Sequence, residues 1–290
     1  MEKQKNYEKE FLDIFQQLCY YRSKWQVWED VITMIALSIA NALENNKQKK
    51  KEREQKYCDC VNRIGREENI QLVAKLMAII VMALEKNPEQ DFLGKIYMEL
   101  ELFNHWKGQL FTPYHICKVM VDLNSQNIQK QLEEKSFISV CDPTCGAGAL
   151  LIAYANAIKN KNINYQQKVL FIGQDIDAIV GMMCYIQLSL LGCAGYIVIA
   201  DTLTNPICGD ALMPIEKEKQ QFWYMPMFQT EQWYIKRLTH TVKQYHTEEK
   251  IEKIILKQPI DVVTPREKKQ PEYKKNEVIA EQLDLFSIME

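Results

Sequence analysis

The chain has 290 residues, 47% apolar, 26% charged and 10% aromatic, a balance that excludes whole-chain disorder. A formal net charge of -2 excludes a uniformly basic coat for nucleic acid, so any such contact must come from a local patch. No uninterrupted run of about 18 apolar residues is present to span a membrane.

Met1 to Lys5 leads into a charged stretch rather than an apolar signal core, so no export signal and a cytoplasmic location are expected. The first ~90 residues read as helices. Trp25 to Leu43 carries Val27, Trp28, Val31, Ile32, Ile35, Ala36, Ile39 and Leu43 at helical spacing on one wide face. Lys47 to Lys56 mixes Lys and Glu and reads as a solvated helix start more than as a DNA-facing patch. Leu72 to Leu84 is a further apolar helix, ended at Asn87-Pro88 because the residue before Pro leaves the helical region. Asp91 to Leu102 reads as another helix, as does Tyr114 to Leu123, with Pro113 at its first turn.

From Phe137 the pattern changes. Phe137 to Cys141, Val169 to Gly173 and Tyr196 to Ala200 are short β-prone runs, and the helices Ala149 to Ile158 and Ala178 to Leu191 separate them. That alternation predicts a parallel sheet with right-handed crossovers. Phe222-Trp223-Tyr224 is a fourth strand candidate and Thr230 to Tyr245 a helix candidate. Pro265 to Lys275, rich in charge and Pro, reads as a flexible linker. The expected division is a helical domain at 1–88, a cofactor-binding α/β core at 89–228, and a helix, linker and tail at 229–290.

Nine cysteines are scattered along the chain, several inside apolar runs (Cys117, Cys184, Cys193), and read as reduced thiols. Cys58-Asp59-Cys60 has no second ligand pair, and His105, His115, His240 and His246 form no metal motif, so no metal is expected.

Asp142-Pro143-Thr144-Cys145-Gly146-Ala147-Gly148 joins the first strand to its helix. Glycines there let the backbone approach a ligand, and the helix start offers free N–H groups. A dinucleotide loop would show three spaced glycines; this one begins with an acid, which suits a positively charged ligand head. Asp175 ends the second strand, where it can accept ribose hydroxyls, and Asp201 ends the third. Any one of these acids could simply cap the next helix. Three of them at three successive strand ends line the crevice in which such sheets bind ligands.

The run Asp142 to Leu151 resembles the S-adenosylmethionine loop of adenine-N6 DNA methyltransferases, above all the M subunits of type I restriction-modification systems. Gly108-Gln109-Leu110-Phe111-Thr112-Pro113 looks like that family's segment over the methionine end of the cofactor, and Ala200-Asp201-Thr202-Leu203 like its adenine-side motif. The resemblance covers roughly residues 90–228. It implies a Rossmann-like methyltransferase core after a helical N-terminal domain, with S-adenosylmethionine as cofactor, DNA as substrate and a partner subunit. It further implies that Gln109, Thr112, Pro113, Asp142 and Pro143 surround the amino-acid end, that Gly146 and Gly148 pass beneath the cofactor, that Asp175 binds ribose and that Asp201 meets adenine.

The family's catalytic element, Asn-Pro-Pro followed by Tyr or Phe, does not occur in this chain. Its Asn and a Pro carbonyl accept hydrogen bonds from the exocyclic amine of a base flipped out of the duplex, and its aromatic ring stacks on that base. Two remnants compete. Asn205-Pro206-Ile207 keeps the Asn-Pro pair but follows Asp201 by only four residues. Tyr224-Met225-Pro226-Met227-Phe228 lies about where the family places the motif, yet Met225 replaces the Asn, and a thioether is a weak acceptor. The candidate catalytic residues are therefore Asn205, Pro206 and Phe228. The alternative is a catalytically degenerate relative that acts as a binding or regulatory module. Lys236-Arg237 and Lys250 to Lys275 are the candidate basic face. Gln282, Leu283, Leu285 and Phe286, near the C-terminus, resemble the peptide by which bacterial replication proteins bind the sliding clamp, or else pack on the chain's own core.

Overall fold

The apolar stripes of the N-terminal third fold as helices, and polar side chains at their starts explain where they begin. A computed structural model describes residues 6–103 and 110–242. Helices α1 (Tyr7–Leu18), α2 (Lys24–Ala42) and α3 (Lys47–Ile64) open with Asn6, Ser23 and Asn46, each of which accepts a backbone N–H from the first turn. In α4 (Glu67–Lys86) no side chain caps the start, but Glu67 and Glu68 sit where the helix dipole favours negative charge. The mixed-charge stretch at 47–56 is the solvated first half of α3; only its second half buries residues, Cys60 and Ile64. One ion cluster ties this layer together. Asp30 of α2, 1% exposed, accepts Arg22 Nη2 at 2.6 Å on Oδ2, and Arg63 Nη2 and Nε at 2.6 and 2.8 Å on Oδ1.

After α5 (Phe92–Glu99), α6 (Tyr114–Asn124) and the short α7 (Ile128–Glu134), the chain enters a sheet. Strands β1 (Ile138–Asp142), β2 (Val169–Asp175) and β3 (Ala194–Ile199) run parallel. They are linked through α8 (Ala149–Asn160), the short α9 (Tyr165–Lys168) and α10 (Ala178–Leu190). The fold is thus α/β, as the alternation predicts. β2 and β3 are buried on both faces, which is why they read as unbroken apolar runs. α10 is apolar nearly all round because it lies inside the protein, between the sheet and α2.

A short hairpin with two residues in each strand, β4 (Cys208–Gly209) and β5 (Pro214–Ile215), precedes β6 (Gln221–Tyr224). β6 pairs antiparallel with β3, so the sheet order is β1-β2-β3-β6 and the fourth strand lies at the edge farthest from β1. A 3-10 turn, Pro226–Gln229, leads into a last described helix, α11, over 231–242. One core joins the Phe171, Ile197 and Trp223 face of the sheet to Trp28, Tyr97 and Tyr185 of the helices, and it continues across residue 88 without a break. The other face, with Leu170, Tyr196 and Phe222, packs against Phe228 and Trp233. The described residues, 6–103 and 110–242, fall in one compact unit. No described helix is long and apolar enough to cross a membrane.

Candidate functional site

All three acids stand where the strand pattern puts them, at the same end of the sheet, and short hydrogen bonds gather their loops. Asp142 ends β1, and its Oδ1 accepts Thr144 N–H at 3.1 Å. Cys145 N–H donates to the Gln174 carbonyl at 2.9 Å, which stitches the loop after β1 onto β2. Gly146 N–H donates to Asp175 Oδ2 at 2.9 Å, and Asp177 N–H to its Oδ1 at 2.9 Å. The Ile176 N–H also acts on this carboxylate, and an ionised carboxylate has about four acceptor sites, so Asp175 retains capacity for a ligand hydroxyl. The loop after β3 closes the group: Thr202 Oγ1 donates to the Pro143 carbonyl.

The glycines serve the loop as much as any ligand. Gly146 and Gly148 hold φ of +56° and +97°, and a Cβ on Gly148 would lie 2.7 Å from Cys184 Sγ. Gly148 is thus required where the start of α8 rests on α10. Phe111 stacks on Tyr97 with ring centroids 5.4 Å apart and lies beside Gly146, so the 110–113 segment covers the loop.

Between them is a cavity of about 230 Å³, lined on one side by Leu110, Phe111, Thr112, Cys117 and Met120 and on the other by Asp142, Thr144, Gly146 and Leu150, with Asp91 also in its wall. Its described lining contains two carboxylates and no Lys, Arg or His. Burial raises the Asp142 carboxyl above the ordinary carboxylate range; the Thr144 N–H opposes this and the charge of nearby Asp175 adds to it. Asp175 is also raised by burial, against the pull of the Asp177 and Gly146 N–H groups. Asp201 differs: it is lowered by hydrogen bonds from Leu203 and Thr204 and caps its own turn. A negative, partly buried cradle of this kind suits a cation with a polar tail.

The sequence of residues 88–257 matches the profile of the family described as N-6 DNA Methylase, more than half of the chain. The chain belongs to the N-6 DNA methylase family. Two solved structures resemble it at low identity. One is a type I restriction-modification system methyltransferase subunit from Streptococcus thermophilus, 14% identical with a TM-score of 0.33, the likeness covering 69% of this chain and 58% of that one. The other, from Listeria monocytogenes, is described as a class I S-adenosylmethionine-dependent methyltransferase; it is also 14% identical with a TM-score of 0.33, over 79% of this chain and 76% of that one. The chain therefore spans 58% of the length of the first of these. No curated protein sequence matches the chain significantly.

The structure brings Thr112, Asp142 and Gly146 to one cavity, Thr112 facing the other two, and places Asp175 one hydrogen bond from Gly146. Pro113 caps α6 beside them, and Pro143, exposed, carries the Thr202 contact. Gln109 lies outside the described residues, as do the linker and the Gln282, Leu283, Leu285 and Phe286 tail. The catalytic candidates are not brought to the cavity. Asn205 Nδ2 donates to the Glu218 carbonyl at 3.1 Å, and the Pro206 carbonyl accepts Lys217 Nζ at 3.3 Å. Phe228 is 4% exposed, stacked on Tyr224 at 5.9 Å with Arg237 over its ring at 4.4 Å. Met225 is fully buried, its N–H bonded to the Gly195 carbonyl at 2.9 Å.

Sequence reasoning missed two buried amides that hold the site. Gln174, 2% exposed, donates to the carbonyls of Ala200 and Asn205 at 3.2 and 3.0 Å and accepts Ile207 N–H at 3.1 Å, fixing the loop after β3. Gln187, fully buried in α10, donates to the Ala147 carbonyl at 2.9 Å. Each is a lone amide in an otherwise apolar run, and that was the available signal.

Proposed function

We propose that the chain binds S-adenosylmethionine at the C-terminal end of β1 and methylates adenine N6 in DNA. The observation that carries the reading is the cavity itself, in which Asp142, Thr112 and the Gly146 backbone face one space beside Asp175. Asp142 and Thr112 would hold the amino-acid end and Asp175 the ribose. Ile176, directly after Asp175, and Leu203, two residues past Asp201, are 71% and 92% exposed and would flank the adenine ring. When bound, the cofactor supplies a sulfonium-activated methyl group. The chain's own contribution is to place that group and to exclude water beneath Phe111.

A second reading keeps the cofactor site but not the chemistry. Its support is the position of Phe228, buried at the β6 edge, and of Asn205, whose amide is engaged with the hairpin region. On that reading the chain binds the cofactor and acts through DNA or a partner subunit. Incubation with tritium-labelled S-adenosylmethionine and unmethylated genomic DNA separates the two. Label recovered as N6-methyladenine supports the enzyme. Label bound to protein but never transferred supports the degenerate relative.

A further inference from the structure

We infer that Asp91 is a second carboxylate of the cofactor site and faces the cationic methionine end of the ligand across the cavity from Asp142; this rests on the reading of the cavity just given. Asp91 immediately precedes α5, is 9% exposed, and lines the same cavity as Asp142 and Thr112. Its Oδ1 accepts Gly94 N–H at 2.9 Å and Gln187 Nε2 at 2.7 Å. Its Oδ2 has no hydrogen-bond partner among the described residues. That oxygen is not among the sealed, unpartnered side-chain atoms, so it stays open to the cavity, whose described lining brings no Lys, Arg or His to it.

Two further features fix the carboxylate where a ligand would meet it. Gln187 accepts Leu93 N–H at 3.0 Å and donates to both Asp91 and the Ala147 carbonyl, so one buried amide locks α5, α10 and the glycine loop to one another. Gly94 is the second. A Cβ there would lie 2.0 Å from Asp91 Oδ2, so any side chain at this position would push the carboxylate aside. An N-cap role explains the Gly94 bond but not the Gln187 bridge, the free oxygen or the cavity.

Asp91→Asn tests this, because Asn caps helices as well as Asp and can still accept both hydrogen bonds while losing the charge. Affinities of the full chain and the variant would be measured by calorimetry for S-adenosylmethionine and for 5′-methylthioadenosine, a neutral fragment that lacks the amino-acid end. The expected result is at least about tenfold weaker binding of S-adenosylmethionine with 5′-methylthioadenosine unchanged. Unchanged affinity for both ligands would overturn the inference. An equal loss for both would also overturn it, since it would mean that the residue only shapes the loop. Failure of the wild-type chain to bind either ligand would instead sink the cofactor reading.

Discussion

The two edges of the sheet are built differently. At the β1 edge, Ser139 and Cys141 are exposed, and the strand ends in an acid and a glycine loop that leave a cavity. At the β6 edge, Tyr196, Phe222, Tyr224, Phe228 and Trp233 form a contiguous aromatic cluster with centroid spacings of 5.6–6.0 Å. One edge keeps backbone and carboxylates available to a ligand, whereas the other spends its side chains on packing. Phe228, the aromatic residue that looks catalytic by its position in the sequence, is packed inside that cluster.

Substitutions at the two edges should separate along that line. Trp233→Ala removes a fully buried indole and the Nε1 bond to the Gln166 carbonyl at 2.8 Å. It should lower unfolding free energy by about 3–5 kcal/mol in urea titrations, with cofactor affinity of the folded fraction unchanged. A large affinity loss in folded protein would break the comparison. Away from both edges, Asp30→Asn should cost about 2–3 kcal/mol, because Arg22 and Arg63 lose a shared carboxylate, again without touching the cofactor. At the β1 edge, Gly148→Ala strains a φ of +97° and crowds Cys184. It should cost about 1–2 kcal/mol in stability and also weaken the cofactor, the double effect that no β6-edge variant should show.

The pH dependence sharpens the contrast. Burial raises Asp142, Asp175 and Asp91 in the folded chain. A cationic ligand needs them ionised, so its affinity should fall as pH is lowered through these raised values, beginning above the ordinary carboxylate value of about 4. For the ligand-free protein the sign is opposite. Carboxyls with a folded pKa above the unfolded one favour the folded state as pH falls into that window. Calorimetry and thermal melts at stepped pH should show the two trends crossing, and Asp142→Asn should flatten both. The smallest effect expected is for Leu203→Ala, a modest loss of affinity at an exposed flank.

Much of this was legible in the residues. Helical spacing predicted α2, α4, α6, α8 and α10, and apolar runs predicted β1, β2 and β3. The acid-glycine loop, legible as a ligand-binding turn in the residues alone, lines the cavity. The strand at 221–224 was visible, but an apolar run carries no direction, and its antiparallel pairing with β3 is a tertiary choice. The β4–β5 hairpin has two residues per strand, too few to show a period. Asp91 closes a polar run and Gln187 is a lone amide in an apolar one, and neither local pattern points to a partner 96 positions away.

The central claim is that the cofactor belongs to the β1 edge, and calorimetric titration of S-adenosylmethionine into the wild-type chain, Asp142→Ala and Phe228→Ala tests it most directly. The account predicts binding by the wild type, loss of detectable binding in Asp142→Ala, and wild-type affinity in the folded fraction of Phe228→Ala. Binding that survives Asp142→Ala but disappears in folded Phe228→Ala would contradict it.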